Sequence, residues 1–383
     1  MDVLLIATVY NHLAAFHKPF IKDFQLKGYK VHVAGSNSMG RKDELEEMGV
    51  ICHDIDFDKN VVSRKNLTAI KQLNELFKNT HFHLIHVHTP IAAFITRYVY
   101  KKYKSQGQLL YTAHGFYFYK GAPLKSWLLY YTAEVISRRW TSSILVMNKE
   151  DLQLAERIGY KREENLFFVN GVGVDFEEFN TKIVSTQKIR DELNIPSNGV
   201  IFSCVAELRV RKNQEFILKN WMKIVQERPD FHLLLVGEGS EEKKYKELVK
   251  ENNISNVHFL GFRKDIPKIM NESDIILLTS LHEGLPRCLM EALALGKPVI
   301  ASNVRGTNDL IEDSKNGFLI DLNENQEFIS KAIKLGSDKS LQNEYGNYGK
   351  DKSYQYSIEN VMKQMELIYD KTLNKSNLSR STH

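Results

Sequence analysis

The sequence predicts an α/β chain built from two doubly wound domains. Short apolar runs recur without in/out alternation, which suits strands buried on both faces of a parallel sheet. Helical patterns separate these runs, and strands alternating with helices imply βαβ units. The length of 383 residues is about twice that of a usual single domain. In the first half the expected strands are Val3–Ala7, Val31–Ala34, Leu84–Val87, Leu109–Thr112, Ile144–Val146 and Leu166–Val169. In the second half they are Val200–Val205, His232–Val236, Val257–Leu260, Ile275–Leu278 and Val299–Ala301. The domain boundary is expected at Asn170-Gly171-Val172-Gly173-Val174-Asp175, where two glycines follow a strand and permit a turn. Beyond the second domain, Ile358, Val361, Met365 and Ile368 recur at helical spacing and require a surface to pack on.

With 43% hydrophobic and 26% charged residues, the composition is that of a globular protein and excludes collagen-like, coiled-coil and disordered chains. Every apolar run is interrupted before the roughly 18 residues a membrane span needs. The run Met1-Asp2-Val3-Leu4-Leu5-Ile6-Ala7 lacks the basic stretch and cleavage site of a signal peptide and is read as the first strand. Cys52, Cys204 and Cys288 are too scattered for a disulfide framework or a CxxC zinc site, which fits a reducing cytoplasm.

The net charge of +5 is unevenly spread. Residues 1–170 hold 23 Lys and Arg against 16 Asp and Glu, and the remainder holds 29 against 31. A basic first half suggests an anionic partner, against the alternative of an ordinary solvated surface. Within it, Pro123-Leu124-Lys125-Ser126-Trp127-Leu128-Leu129-Tyr130-Tyr131, followed by Ser137-Arg138-Arg139-Trp140, combines aromatic, leucine and basic residues in one expected helix. Such a segment suits an anionic membrane interface, and a packed core helix contains the same residues.

The most informative stretch is Ser280-Leu281-His282-Glu283-Gly284-Leu285-Pro286-Arg287-Cys288-Leu289-Met290-Glu291-Ala292-Leu293-Ala294-Leu295-Gly296. A strand ends before it, Pro286 marks the first helical turn, Leu289, Ala292 and Leu293 form the buried face, and Gly296 stops the helix. A helix N-terminus at the carboxyl end of a strand offers N–H groups and a positive dipole to an anion. Glu283 precedes the helix and Glu291 lies more than a turn inside it, so the two carboxylates can touch different parts of one elongated ligand.

The spacing Glu283-Gly284-Leu285-Pro286…Glu291-Ala292 resembles the signature of the family-4 retaining glycosyltransferases of GT-B fold, in particular members that build bacterial capsular or exopolysaccharide units. His86-Val87-His88-Thr89-Pro90, Thr112-Ala113-His114-Gly115, Asn170-Gly171-Val172, Leu235-Val236-Gly237-Glu238-Gly239, Leu260-Gly261-Phe262-Arg263-Lys264-Asp265 and Lys297-Pro298-Val299-Ile300-Ala301 follow the family's order. The resemblance implies two Rossmann-like domains facing a cleft. Residues 1–169 would bind the acceptor, 170–355 would bind a nucleotide-sugar, and a helix over 356–373 would pack back on the first domain.

It also implies roles. Glu283 would meet the hydroxyls of the transferred sugar, with Gly284, Leu285 and Pro286 near sugar and diphosphate. Glu291 would accept from the ribose, and the backbone at Arg263 would meet the base. Lys212 matches the lysine that stabilises the departing phosphate, and His114 the histidine that contacts the sugar. His12, His88 and Asn170 are placed in the cleft or at the acceptor.

The chain departs from the pattern at two points. Glu207 stands where the family's partner arginine usually lies, leaving Arg209 or Arg211 to supply the second cation, with Arg209 preferred. Thr8-Val9-Tyr10-Asn11-His12 lacks the glycine pair of many relatives, which frees His12 for a substrate role.

The expected activity is therefore transfer of a hexose or N-acetylhexosamine from a UDP-sugar to a saccharide acceptor linked to polyprenyl diphosphate. It would occur in the cytoplasm at the inner membrane face, with no nucleic acid partner. A UDP-sugar epimerase of the same fold and a non-catalytic nucleotide-sugar binder are the competing readings. His81, His83, His86 and His88 look like a metal cluster, but no Asp-x-Asp accompanies them and the family fold works without bound metal, so neither metal nor cofactor is expected. A dehydrogenase GxGxxG fails, because Gly171-Val172-Gly173 and Gly237-Glu238-Gly239 both lack the last glycine.

Overall fold

The computed structural model describes residues 1–103, 106–181 and 188–380. The chain divides into two compact units, Met1–Val172 with Val361–His383, and Gly173–Asn360. Gly171 and Gly173, at the change-over, both take φ of +80°.

The first unit is wound on a seven-stranded sheet: β1 (Asp2–Val9), β2 (Lys30–Ser36), β3 (Ile51–Asp54), β4 (Leu84–His88), β5 (Gln108–Ala113), β6 (Ser143–Val146) and β7 (Leu166–Phe168). The spatial order is β3-β2-β1-β4-β5-β6-β7, and every pairing is parallel. Consecutive residues Val3, Leu4, Leu5 and Ile6 are all buried, which explains why the run does not alternate.

The second unit repeats the plan with β8 (Val200–Val205), β9 (Phe231–Val236), β10 (Val257–Gly261), β11 (Ile275–Leu278), β12 (Val299–Ser302) and β13 (Gly317–Ile320). Its order is β10-β9-β8-β11-β12-β13, again parallel throughout. Strand order reverses between β1 and β4 in the first unit and between β8 and β11 in the second. Such reversals open a crevice at the carboxyl ends of the two strands, where open α/β sheets bind ligands.

Two strands were not expected from the sequence, β3 and β13, and both are sheet edges. In β3 Ile51 is exposed and the rest is Cys52-His53-Asp54, because an edge strand need not be apolar on both faces. The helix Ile358–Arg380 buries Val361, Met365 and Ile368, as its spacing requires. On the first unit, Tyr369 Oη lies 2.9 Å from His86 Nδ1, and Lys27 Nζ lies 2.8 Å from Glu366.

The aromatic segment is one helical stretch: Leu124–Ser126, a π-helical turn at Trp127–Tyr131, Thr132–Ser137, and a closing tight turn at Arg138–Trp140. Trp127, Tyr130 and Tyr131 pack against the core, while Leu124 and Leu128 are 75% and 71% exposed. The stretch is anchored to helix Pro90–Tyr100 by a fully buried guanidinium. Arg97 donates from Nη1 and Nη2 to the two Glu134 oxygens, both at 2.7 Å, and from Nε to Ala93 O at 3.0 Å.

Removing one partner of such a pair leaves a buried charge uncompensated. Glu134→Ala is expected to cost the first unit about 3–5 kcal/mol in urea unfolding. A variant as stable as the parent would show that the pair does not anchor the segment.

Candidate active site

In the second unit the reversal brings the loop after β8 beside the loop after β11. The β8 loop is hung on the β9 end: Ala206 N donates to Val236 O at 3.0 Å and Leu208 N to Glu238 O at 2.9 Å. The two switch-point loops then join directly, with Leu281 N donating to Arg211 O at 2.9 Å and Thr279 Oγ1 to Asn213 O at 3.0 Å.

Glu283 sits at this junction, 6% exposed. Its Oε1 accepts from Lys212 Nζ at 2.5 Å and Ser280 Oγ at 2.6 Å, and its Oε2 from Arg211 Nη1 at 2.9 Å. Burial acts to raise its pKa, but Lys212 and Arg211 outweigh that and hold the carboxyl below its ordinary value. Glu283 is thus an ionised acceptor at neutral pH.

From the β12 side, buried Arg305 donates from Nε to Glu283 O at 2.9 Å. Gly306, at φ +81°, approaches so closely that a Cβ would meet Gly284 O at 2.5 Å. Ser280, Arg305 and Gly306 were not singled out in the sequence. Their position just after β11 and β12 is the signal that would have found them.

Gly284 and Leu285 are half-buried, and Pro286 caps the helix Arg287–Ala294, which buries Leu289, Ala292 and Leu293 and ends at Gly296 with φ +64°. Inside it, Glu291 lies 2.8 Å from Arg287 Nε, and burial raises its carboxyl despite that cation. Arg209 is not brought to Glu283. It pairs with Glu207 at 2.8 Å, both well exposed, and Arg211 takes the place beside Lys212. Arg263 is tied to Glu192 at 2.7 Å and Asp265 at 2.8 Å, while Phe262 beside it is 68% exposed.

In the first unit, β1 runs without a glycine turn into helix Tyr10–Phe16, which carries His12. His88 closes β4, His114 follows β5, and His17 lies between helices Tyr10–Phe16 and Lys18–Leu26. These four rings converge. His88 Nδ1 is 3.3 Å from His114 Nε2, the His17 and His88 centroids are 3.9 Å apart, and those of His12 and His114 are 4.9 Å apart. Burial pushes His12 down to about 4 and holds His17, His88 and His114 well below the usual range, so all four are neutral at pH 7.

The row His81, His83, His86 and His88 does not form one ligand set. His83 Nδ1 accepts from Asp2 N at 3.1 Å, and His86 is engaged by Tyr369 and, at 2.7 Å, by Thr112 Oγ1. His17, which sequence spacing passed over, joins His88 instead. Asn170 N donates to Gln364 Oε1 at 3.1 Å.

Beside His12 lies a cavity of about 410 Å³ lined by Thr8, Asn11, His12, Thr89, Tyr117 and Tyr130. A second cavity of about 400 Å³, lined by Val61, Leu67, Phe94 and Leu129, shares Pro90, Ile91 and Tyr130 with the first. Among the described residues, no helix is long and apolar enough to cross a membrane.

Two parallel-sheet Rossmann-like domains, with an acid and a lysine meeting at a switch point, define the class of two-domain glycosyltransferases. Residues 3–148 match the family model described as glycosyl transferase 4-like, and residues 185–352 the one described as glycosyl transferases group 1. The putative glycosyltransferase EpsD of Bacillus subtilis (strain 168) is 30% identical over 373 residues, 96% of each chain. The UDP-Gal:alpha-D-GlcNAc-diphosphoundecaprenol alpha-1,3-galactosyltransferase of Escherichia coli is 27% identical over 287 residues, 74% of each. The crystal structure of Anabaena Alr3699/HepE in complex with UDP and glucose shares the fold, with a TM-score of 0.78 and 20% identity over 97% of this chain and 99% of that one. The chain belongs to the family-4 glycosyltransferases of GT-B fold.

Gly306→Ala tests how tightly the site is set. The added methyl must push the Glu283–Gly284 backbone away from a left-handed, crowded position. Expected losses are about 1–3 kcal/mol of stability and on the order of 10²-fold in transfer, since a shift of about 1 Å suffices for that. A thermal melt and an initial-rate assay read both. A variant matching the parent in each would show that the β12 loop does not set Glu283.

Proposed function

We propose that this glycosyltransferase moves a hexose or N-acetylhexosamine from a UDP-sugar to a saccharide carried on polyprenyl diphosphate, with retention of anomeric configuration and without a metal, in capsule or exopolysaccharide synthesis. The observation that carries the reading is the Lys212–Glu283 junction beside the helix capped by Pro286. It sets an ionised acceptor for sugar hydroxyls next to a cation for a leaving phosphate. The names of the E. coli relative and of the Anabaena complex support the donor class, and the former supports the acceptor class.

Glu283 accepts hydrogen bonds from the transferred sugar, and the N–H groups of Gly284 and Leu285 face sugar and diphosphate at the helix N-terminus. Glu291 accepts from the ribose, and the backbone at Arg263 meets the base. As the bond from the sugar's anomeric carbon to the phosphate oxygen breaks, negative charge grows on the nucleoside diphosphate, and Lys212 stabilises it. Lys212 and Arg211 both contact Glu283, whereas Arg209 is held by an exposed pair with Glu207. Exposed pairs contribute about 0–1 kcal/mol, so Arg209 is the cation free to swing to the phosphate.

The acceptor hydroxyl attacks the same face that the phosphate leaves, and its proton passes to the departing phosphate oxygen. His114 positions the sugar, and His12, His88 and Asn170 border the acceptor. The cavity at His12, which shares Pro90, Ile91 and Tyr130 with a more apolar neighbour, suits an amphiphile with a saccharide head and a prenyl tail. Exposed Leu124 and Leu128, with Lys125, Arg138 and Arg139 on the same stretch, suit contact with an anionic membrane.

Glu283→Gln, assayed in EDTA with a panel of UDP-, GDP- and ADP-sugars, is expected to lower kcat by about 10²–10³-fold with an unchanged circular dichroism spectrum. Parental turnover by the variant, or a donor preference for GDP- or ADP-sugars, would overturn the assignment. The double variant Leu124→Ser, Leu128→Ser is expected to lose at least about tenfold in co-sedimentation with anionic vesicles, given the transfer free energy of two leucines. Equal binding by parent and variant would remove the membrane contact from the proposal.

A further inference from the structure

We infer that His12, His17, His88 and His114 form a binding site for one divalent transition-metal ion in the first unit, with Zn²⁺ the best chemical fit. Each ring offers one nitrogen, and the four nitrogens all lie within 4.8 Å of one another. A tetrahedral Zn²⁺ with Zn–N near 2.0–2.1 Å needs ligand nitrogens about 3.3 Å apart. The rings stand close enough for such a set: the His17 and His88 centroids are 3.9 Å apart and those of His12 and His114 4.9 Å.

The second observation is independent of that spacing. Nε2 of His12, of His17 and of His88 are all buried with no hydrogen-bond partner. A buried polar nitrogen left unpaired costs about 1–3 kcal/mol, and native interiors contain few such groups. Three at one spot call for an occupant. A small cavity of about 20 Å³ touches His17, His88 and His114, room for a single water-sized species. One water makes at most four hydrogen bonds and satisfies the set less well than an ion taking four lone pairs.

The donor set decides the ion. Four imidazoles and no carboxylate exclude Mg²⁺ and Ca²⁺, which require oxygen ligands. They suit Zn²⁺, Co²⁺, Ni²⁺ or Cu²⁺, and a closed set of four protein ligands is the usual form of a structural Zn²⁺ site. His86 packs against His88 with ring centroids 4.1 Å apart, and its own nitrogens are engaged by Tyr369 and Thr112, so it is not a fifth ligand.

The ion is distinct from the transfer chemistry, which uses Lys212 and an arginine in the second unit. One consequence rests on that earlier reading. An ion that takes the His114 ring withdraws it from the sugar, so loading would slow transfer rather than support it.

The test uses untagged, EDTA-stripped full-length protein titrated with Co²⁺ and then displaced by Zn²⁺. The expected result is one ion per chain and the intense visible absorption of four-coordinate Co²⁺. His12→Gln, at the partly exposed edge, and His17→Gln are each expected to weaken binding by at least about 10–100-fold, while surface His81→Gln keeps the parental affinity. Absence of the absorption, absence of stoichiometric binding, or equal affinity in His12→Gln and the parent would overturn the site. None of these readouts involves turnover, so failure of the transferase reading leaves this result standing, and the converse holds.

Discussion

The second unit turns on one carboxylate held between two cations. Glu283 is almost fully buried, yet Lys212 and Arg211 keep it ionised and below its ordinary pKa. Burying a charge is costly, and the pair offsets that cost only while the geometry holds. The geometry is supplied from three directions: Arg211 and Lys212 from the β8 loop, Ser280 from the β11 loop, and Arg305 with Gly306 from beyond β12. Strand order explains why these segments meet. Because β8 lies beside β11, residues 71 and 72 positions apart in the chain become hydrogen-bonded neighbours.

The first unit uses the same reversal with opposite electrostatics. Where β1 and β4 part, the side chains that gather are imidazoles kept neutral by burial rather than ions, although this half of the sequence is the more basic. The backbone there is also under load. Thr89, β-branched, takes φ +64° directly between His88 and Pro90. Such a conformation costs on the order of 1–3 kcal/mol and persists only where surroundings enforce it. Thr8 supplies part of that enforcement, its Oγ1 lying 2.7 Å from Thr89 Oγ1 and its N donating to the same oxygen at 3.0 Å. The strained turn follows His88 directly, and Thr89 forms part of the wall of the cavity at His12.

The sheets were legible because a strand buried on both faces has to be an unbroken apolar run. Legibility failed at two of the four sheet edges, β3, which carries Cys52-His53-Asp54, and β13, four residues opening on a glycine, whereas the edges β7 and β10 kept apolar runs that could be read. The second-unit site was legible through one short loop, since Glu283, Gly284, Leu285 and Pro286 are contiguous. The choice between Arg209 and Arg211 was not. Side chains two apart in an irregular loop take different directions, and only the fold shows which one reaches Glu283. His17 was hidden for a related reason: His88 and His114 are 71 and 97 positions away, and spacing along one strand drew attention to His86, whose ring is engaged elsewhere.

Charge balance links the observed junction to the proposed reaction. Lys212 and Arg211 bring two positive charges against the single negative charge of Glu283, beside a helix N-terminus. A carboxylate alone would repel a diphosphate, and cations alone would bind it without orienting the sugar. Together they leave a positive excess that the diphosphate of a nucleotide-sugar would meet. As the sugar departs, that charge grows on the leaving phosphate, and a swing of Arg209 away from Glu207 would add one more cation at that stage. On that proposal the replacement of the usual arginine by Glu207 would move the second cation by two residues instead of removing it, with the acidic side chain holding Arg209 at the loop surface until a stronger anion arrives.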